Sequence, residues 1–251
     1  MNILGIIPAR GGKQQLANKN ILSLSGRPVI AYTILAAQRS SSIDRLVVST
    51  ENRDIASVAK QFNVEVVDRP SELSLDTSPI EDSLRHAVEY LKKEDNYQAD
   101  IVVQMQANVP IRKEGIIDEV INKLIDTDAD SVATMYPVDQ CPQWMKRIDK
   151  DGYLRPFCSS KKEYRRQDIE QMYLLDGAVI TTKREVLMET MGMKGVHLYM
   201  GKNMLGVIQD KKYAIEIDTQ EDFFIAELFL KTVKTKETSG QEDYEENKNR
   251  E

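Results

Sequence analysis

The apolar run of residues 2–8 empties into Pro8-Ala9-Arg10-Gly11-Gly12, and two lysines and two asparagines follow by residue 20. A glycine pair lets the backbone turn sharply and bring N–H groups close to an anion. Arg10, Lys13 and Lys19 add positive charge around it. Neither the GxxxxGK[ST] loop nor the GxGxxG fingerprint occurs in the chain. Taken alone, the stretch reads equally as a phosphate cradle or as a plain turn with solvated basic side chains. A second pattern lies near the other end. In "AIEID", residues 214–218, alternation along a short strand would place Glu216 and Asp218 on one face. Two carboxylates at a strand end make a hard oxygen site suited to Mg²⁺ (or Mn²⁺), with phosphates filling other positions. The competing reading is a solvent-facing pair, with Asp218 or Thr219 capping the next helix.

Other groups with chemical potential lie between these two. Arg69-Pro70 follows "VEVVD", and Pro70 cannot continue a central strand, so Arg69 is expected to turn into a crevice at the strand end. Asp76, Ser78 and Ser83 follow in a loop and helix start, where backbone N–H groups favour anions. N-capping is the competing use of the two serines. Arg112 reads as a second anion contact or as a helix-start salt bridge. Cys141, Cys158, His86 and His197 show no metal-ligand spacing and read as structural or incidental.

These residues need elements to hold them. "NILGIIP" (2–8), "RLVVST" (45–50), "VEVVD" (64–68), "DIVVQMQ" (100–106), "SVATMYPV" (131–138), "GAVITT" (177–182) and "NMLGVIQD" (203–210) have the composition of short strands. Helical patterns separate the first five. One follows Pro28 and one follows Thr50, a plausible N-cap. A third spaces Ile80, Leu84, Ala87, Val88 and Leu91 on one face, and a fourth does so with Ile117, Val120, Ile121, Leu124 and Ile125. A last amphipathic helix follows Asp218. This alternation predicts an α/β fold with a parallel sheet and helices on both faces, and ligands then bind at the carboxyl ends of the strands. The rhythm breaks over 139–175, which is polar and aromatic and carries the hairpin signal Asp151-Gly152. That segment reads as an insertion in a single domain over 1–235, and 236–251 as a disordered tail.

Size and charge narrow the function. The 251 residues suffice for a sizeable core, and a net charge of −6 argues against a general nucleic-acid surface. No apolar run approaches the roughly 20 residues of a membrane span, and no signal-peptide pattern opens the chain, so the cytoplasm is the expected location.

Six motifs in register resemble the cytidylyltransferases that activate acidic sugars, a family that includes the CMP-sialic acid synthetases. They are "IPARGG" with "KNI" after six further residues, "LSGRPVIAYTI", "STENRDIASVAKQFNVEVVDRP", "MQANVPIR", "RRQD" with "YLLDGAV", and "IEIDTQEDFFIAE". The resemblance implies a three-layer α/β/α nucleotidyltransferase fold with a mostly parallel, Rossmann-like sheet and a small inserted dimerisation arm. It further implies that Arg10, Gly11, Gly12, Lys19, Asn20, Arg69 and Ser78 contact CTP. Lys19 and Arg10 would act on the reacting phosphates, and Asp218 with Glu216 would hold the metal. Gln106, aided by Asn108, would hold the acceptor near its anomeric hydroxyl, and an amide suits this because it both donates and accepts. Arg166 and Gln167 would reach the partner subunit's acceptor site, where an arginine fork suits a sugar carboxylate. Tyr173 and Asp176 would line the acceptor pocket.

The chain departs from the family pattern at four places. The usual GGSKG loop is Gly11-Gly12-Lys13-Gln14-Gln15, "PTSP" is Ala107-Asn108-Val109-Pro110, the first metal carboxylate is Glu216, and the motif asparagine is Asp176. The function expected is transfer of CMP from CTP to an acidic nine-carbon sugar of the sialic, legionaminic or pseudaminic type, in a homodimer with no nucleic-acid or membrane partner. The alternatives are a nucleotidyltransferase for an eight-carbon, neutral or phosphorylated sugar, and a family member that binds nucleotide without turnover. A dehydrogenase is disfavoured by the missing GxGxxG.

Overall fold

The computed structural model describes residues 1–12, 16–158, 165, 167, 169–193 and 195–232. The loop residues 13–15, Arg166 and the tail from 236 on, all subjects of expectations above, lie outside the described residues. The centre is a seven-stranded sheet. Its strands are β1 (Ile3–Pro8), β4 (Arg45–Thr50), β5 (Glu65–Asp68), β6 (Ile101–Gln104), β7 (Ser131–Pro137), β10 (Tyr173–Lys183) and β11 (Met204–Ile208). They are ordered β11-β7-β10-β6-β1-β4-β5. Every neighbouring pair is parallel except those of β10, which runs antiparallel to β6 and β7. Two short ribbons complete the β structure: β2 (Ser23–Leu24) with β3 (Arg27–Pro28), and β8 (Lys146–Ile148) with β9 (Leu154–Pro156).

Alternation along β1 explains the layers. Ile3 and Ile7 project to one face, where they join Ile30 and Ile34 of α1 (Val29–Gln38), Ile55 of α2 (Arg53–Gln61) and Ile117, Val120 and Leu124 of α4 (Ile116–Ile125). Leu4 and Ile6 project to the other, against Leu84, Val88 and Leu91 of α3 (Ile80–Asp95) and Leu187 of α5 (Arg184–Glu189). The strands are buried on both sides, so they read as continuous apolar runs. The result is a three-layer α/β/α fold. A third cluster packs Ile217 and Ala226, the latter on a final helix α6 over 220–232, against Leu24, Val29 and Ile111.

Three local expectations are corrected. "AIEID" is not a strand: Ile217 ties it to Asn108, its N–H donating to the Asn108 carbonyl at 2.8 Å and its carbonyl accepting from Asn108 Nδ2 at 3.2 Å. The N-cap of α2 is Asn52 rather than Thr50. Asn52 Oδ1 accepts from the N–H groups of Asp54 and Ile55, whereas Thr50 completes β4. Ile125, placed on the apolar face of α4, is its last residue and is 41% exposed. Asp151-Gly152 does turn the β8–β9 ribbon: Asp149 accepts from the N–H groups of Asp151 and Tyr153, and Gly152 takes φ 86°.

Candidate active site

The carboxyl ends of β1, β5 and β6 open into one cleft. Arg10, Lys19, Asn20, Arg69, Asp76, Ser78, Ser83, Gln106, Asn108 and Glu216 all line it. Residues separated by up to two hundred positions therefore meet where a parallel sheet presents its ligand site.

The glycine turn is built by close approach. Gly11 donates its N–H to Glu51 Oε1 at 2.7 Å, and a Cβ on Gly11 would stand 2.3 Å from Asn52 Nδ2. Only a residue without a side chain fits there. Asn18, in the left-handed conformation, starts the single turn Lys19–Ile21 that delivers Lys19 and Asn20. Asn20 Nδ2 donates to the Arg10 carbonyl at 3.1 Å, which ties the two halves of the opening motif. Its buried Oδ1 has no partner among the described residues.

Arg69 is buried at the end of β5. Its guanidinium donates to Ser83 Oγ and to Glu51 Oε2, both at 2.8 Å, and Ser74 Oγ donates to the same carboxylate at 2.6 Å. Burial works against the charge of Glu51, yet the bonds from Ser74 and Arg69 and the arginine's charge hold its carboxyl below the usual range. Glu51 thus joins the glycine turn, Arg69 and the 71–74 turn in one carboxylate. The sequence reading missed it, and the only signal was an acidic residue one position past a strand end. Arg10 pairs with the 88% exposed Asp76 at 2.9 Å. The Ser78 hydroxyl donates to the Glu72 carbonyl at 2.7 Å, and α3 starts without a side-chain cap, so neither serine caps it.

At the opposite wall Asn108 Nδ2 lies 3.2 Å from Glu216 Oε1 and 3.1 Å from Asp218 Oδ1. The two carboxylates converge although they do not lie on a strand. Lys19 ion-pairs with Asp218. Partial withdrawal from water and the neighbouring Asp218 push the Glu216 carboxyl above its ordinary range. Asp218 is not the helix cap. Thr219 and Asp222 cap α6 reciprocally: Asp222 Oδ2 accepts from the Thr219 N–H at 2.8 Å, and Thr219 Oγ1 accepts from the Asp222 N–H at 3.2 Å. That leaves the Asp218 side chain to Lys19 and Asn108, two residues that line the cleft. No cluster of three or more acidic, His or Cys side chains that could hold a metal occurs among the described residues. Two carboxylates, one destabilised by its neighbour, fit a Mg²⁺ that takes its other ligands from phosphate and water.

Three expected acceptor contacts stand elsewhere. Asp176 is 3% exposed and turned into the sheet, where it binds Thr134, Ala178 and Gln209. It does not line the cleft; it lies where the register of β10 on β7 shifts, between Leu175 and Ile180. Tyr173 is exposed at the start of β10 opposite Pro137, and Gln167 is exposed. Neither borders the cleft of this protomer. Arg112 is neither an anion contact nor a salt bridge. It donates to the carbonyls of Ala178, Val109 and Gln106 and to Thr33 Oγ1.

Comparison with known proteins agrees with this fold. The chain is 29% identical over 234 residues to an N-acylneuraminate cytidylyltransferase of Streptococcus agalactiae, a match covering 92% of this chain and 54% of that protein. It therefore spans about half the length of that relative. It is 30% identical over 239 residues to a CMP-N,N'-diacetyllegionaminic acid synthase of Legionella pneumophila, covering 92% of this chain and 97% of that protein. In fold it is similar to the structure of CMP:2-keto-3-deoxy-manno-octonic acid synthetase complexed with CTP, with a TM-score of 0.68 and 15% identity over 92% of this chain and 99% of that one. The family model described as cytidylyltransferase matches residues 4–238, nearly the whole chain, and this protein belongs to that family.

Proposed function

We propose that the chain transfers CMP from CTP to an acidic nine-carbon sugar of the sialic, legionaminic or pseudaminic type. The observation that carries this is the meeting of Arg10, Lys19, Arg69 and Glu216 in one cleft of a cytidylyltransferase fold, with Asp218 paired to Lys19. The anomeric hydroxyl of the sugar forms a bond to the α-phosphorus, the bond to the β-phosphate oxygen breaks, and pyrophosphate leaves. The hydroxyl proton passes to solvent.

The N–H of Gly12, the guanidiniums of Arg10 and Arg69, and Ser78 would hold the triphosphate, on a turn that Gly11 shapes through its bond to Glu51. Asn20 presents its partnerless buried oxygen to the nucleotide, which satisfies an acceptor that is otherwise costly to bury. Lys19 turns from Asp218 toward the α-phosphoryl group and neutralises the charge that builds there and on the leaving group. Gln106 and Asn108 orient the acceptor. Asp218 and Glu216 would hold Mg²⁺ (or Mn²⁺), which when bound orients the phosphates and lowers the pKa of a coordinated hydroxyl.

The β8–β9 ribbon exposes Ile148, Tyr153, Leu154 and Phe157, an apolar surface on an arm that a second copy would cover. We infer a homodimer in which Arg166 and Gln167 reach the partner's acceptor site, with Tyr173 beside them. No described helix is long and apolar enough to cross a membrane. We place the reaction in the cytoplasm, where CTP is made. Pyrophosphate release from CTP with these sugars and Mg²⁺ tests the proposal, and tight CTP binding without release would leave a binding protein instead.

A further inference from the structure

Asp176 is a carboxylate buried in the sheet and used by none of the steps above. It accepts hydrogen bonds from the Thr134 hydroxyl, from the Ala178 N–H at 2.9 Å and from Gln209 Nε2 at 2.6 Å. A carboxylate accepting from the N–H two residues on fixes a tight turn, and the residue between, Gly177, takes φ 67°. The turn lies where the register of β10 on β7 shifts. Gly177 faces Gln106. Its carbonyl accepts the Gln106 N–H at 3.2 Å, and a Cβ on it would stand 2.6 Å from Gln106 Cδ.

Arg112 holds the other side of the same peptide. Its Nη2 donates to the Gln106 carbonyl at 2.9 Å, and its Nε donates to the Ala178 carbonyl at 3.0 Å. The Thr33 hydroxyl adds a bond to the Gln106 carbonyl at 3.1 Å. Burial presses the Arg112 guanidinium toward its neutral form, and Asp176 opposes that. Asp176 and Arg112 thus both bond to the 176–178 turn, and that turn and Arg112 together hold the Gln106 peptide.

We propose that Asp176 and Arg112 are positioning residues: the hydrogen bonds they make to the 176–178 turn and to the Gln106 carbonyl set the Gly177 turn and thereby fix where the Gln106 amide stands for the acceptor. The proposal rests on the assignment of Gln106 to the acceptor. It separates the acceptor half of the cleft from the nucleotide half, since none of these bonds touches Arg10, Lys19 or Arg69.

The test is a double-mutant cycle of Asp176→Ala with Gln106→Ala, read as kcat/KM for the sugar and KM for CTP. Asp176→Ala is expected to lower kcat/KM for the sugar about tenfold or more, with KM for CTP changed less than about twofold, and to cost less than about threefold once Gln106 is already alanine. Asp176→Asn is expected to recover most of the loss. Its oxygen still accepts from Ala178, and a rotated Gln209 amide offers its Oε1, which has no partner among the described residues. An equal loss in both Gln106 backgrounds, or a matching rise in KM for CTP, overturns the proposal. Should Asp176→Ala not fold, the milder Gln209→Leu decides by the same cycle, with the same two outcomes. No turnover by the wild type with any acidic sugar removes the assignment of the cleft and this inference with it; the additive cycle removes the inference alone.

Discussion

Asp218 stands between partners of opposite sign, with Lys19 paired to its carboxylate and Glu216 across the Asn108 amide. Glu216 takes the cost of that arrangement, its carboxyl pushed up by loss of water and by Asp218. Its folded value lies above its unfolded one. The stability it contributes is therefore complete below the unfolded value and lost as pH rises through the folded value. Without metal, Glu216→Gln is expected to melt higher than the parent at neutral pH, with the difference shrinking as pH falls through the carboxylate range. Turnover should fall in the same variant, because the ionised ligand is gone. Melting curves from pH 4 to 8 beside activity check this, and identical curves would contradict it. Asp218→Ala should lower turnover by about 100-fold or more while the melt is retained. The basic and acidic poles were both legible from residue type and place after a strand. Glu51 and the orientation of Asp176 were not. The partners of Glu51 lie 18 to 40 positions away, and Asp176 sits where a strand irregularity interrupts period-two alternation.

Among the elements, the β1 turn and the start of α2 constrain each other through Gly11 and Asn52. Gly11→Ala would force Asn52 out of the place from which it caps α2. The expected result is a loss of about 1 kcal/mol in denaturant unfolding, the usual worth of an N-cap, together with a higher KM for CTP because the turn that the Gly11–Glu51 bond shapes moves. A raised KM with unchanged stability would mean that the turn moves without disturbing the cap. The strands and most helices were readable because buried parallel strands leave dense β-branched runs and the helices leave apolar stripes. Residues 214–218 misled because they alternate like a strand but run beside the 107–109 loop rather than a ladder partner. Asn52 was passed over as a cap because Thr50, two residues earlier, is also a capping type.

For the whole molecule, the sheet order carries the function. β1 lies between β4 and β6, so Arg10, Arg69 and Gln106 line one cleft. The α/β/α layering was legible in the sequence. The antiparallel β10 was not, since strand direction depends on how the arm over 139–175 returns the chain, and composition does not encode it. The arm also yields a prediction. Small-angle scattering should give the mass of two chains. The pair Ile148→Lys and Leu154→Glu should give the mass of one, with turnover reduced at unchanged CTP binding. A fully active monomer would remove any contribution in trans. The most direct measurement is a panel of CTP, UTP, ATP and GTP against nine-carbon acidic, eight-carbon acidic, neutral and phosphorylated sugars with Mg²⁺, read as pyrophosphate release. The account predicts release with CTP and a nine-carbon acid, matched by formation of the CMP-sugar. No release with any such acid, or faster release with a neutral or phosphorylated sugar, would contradict it.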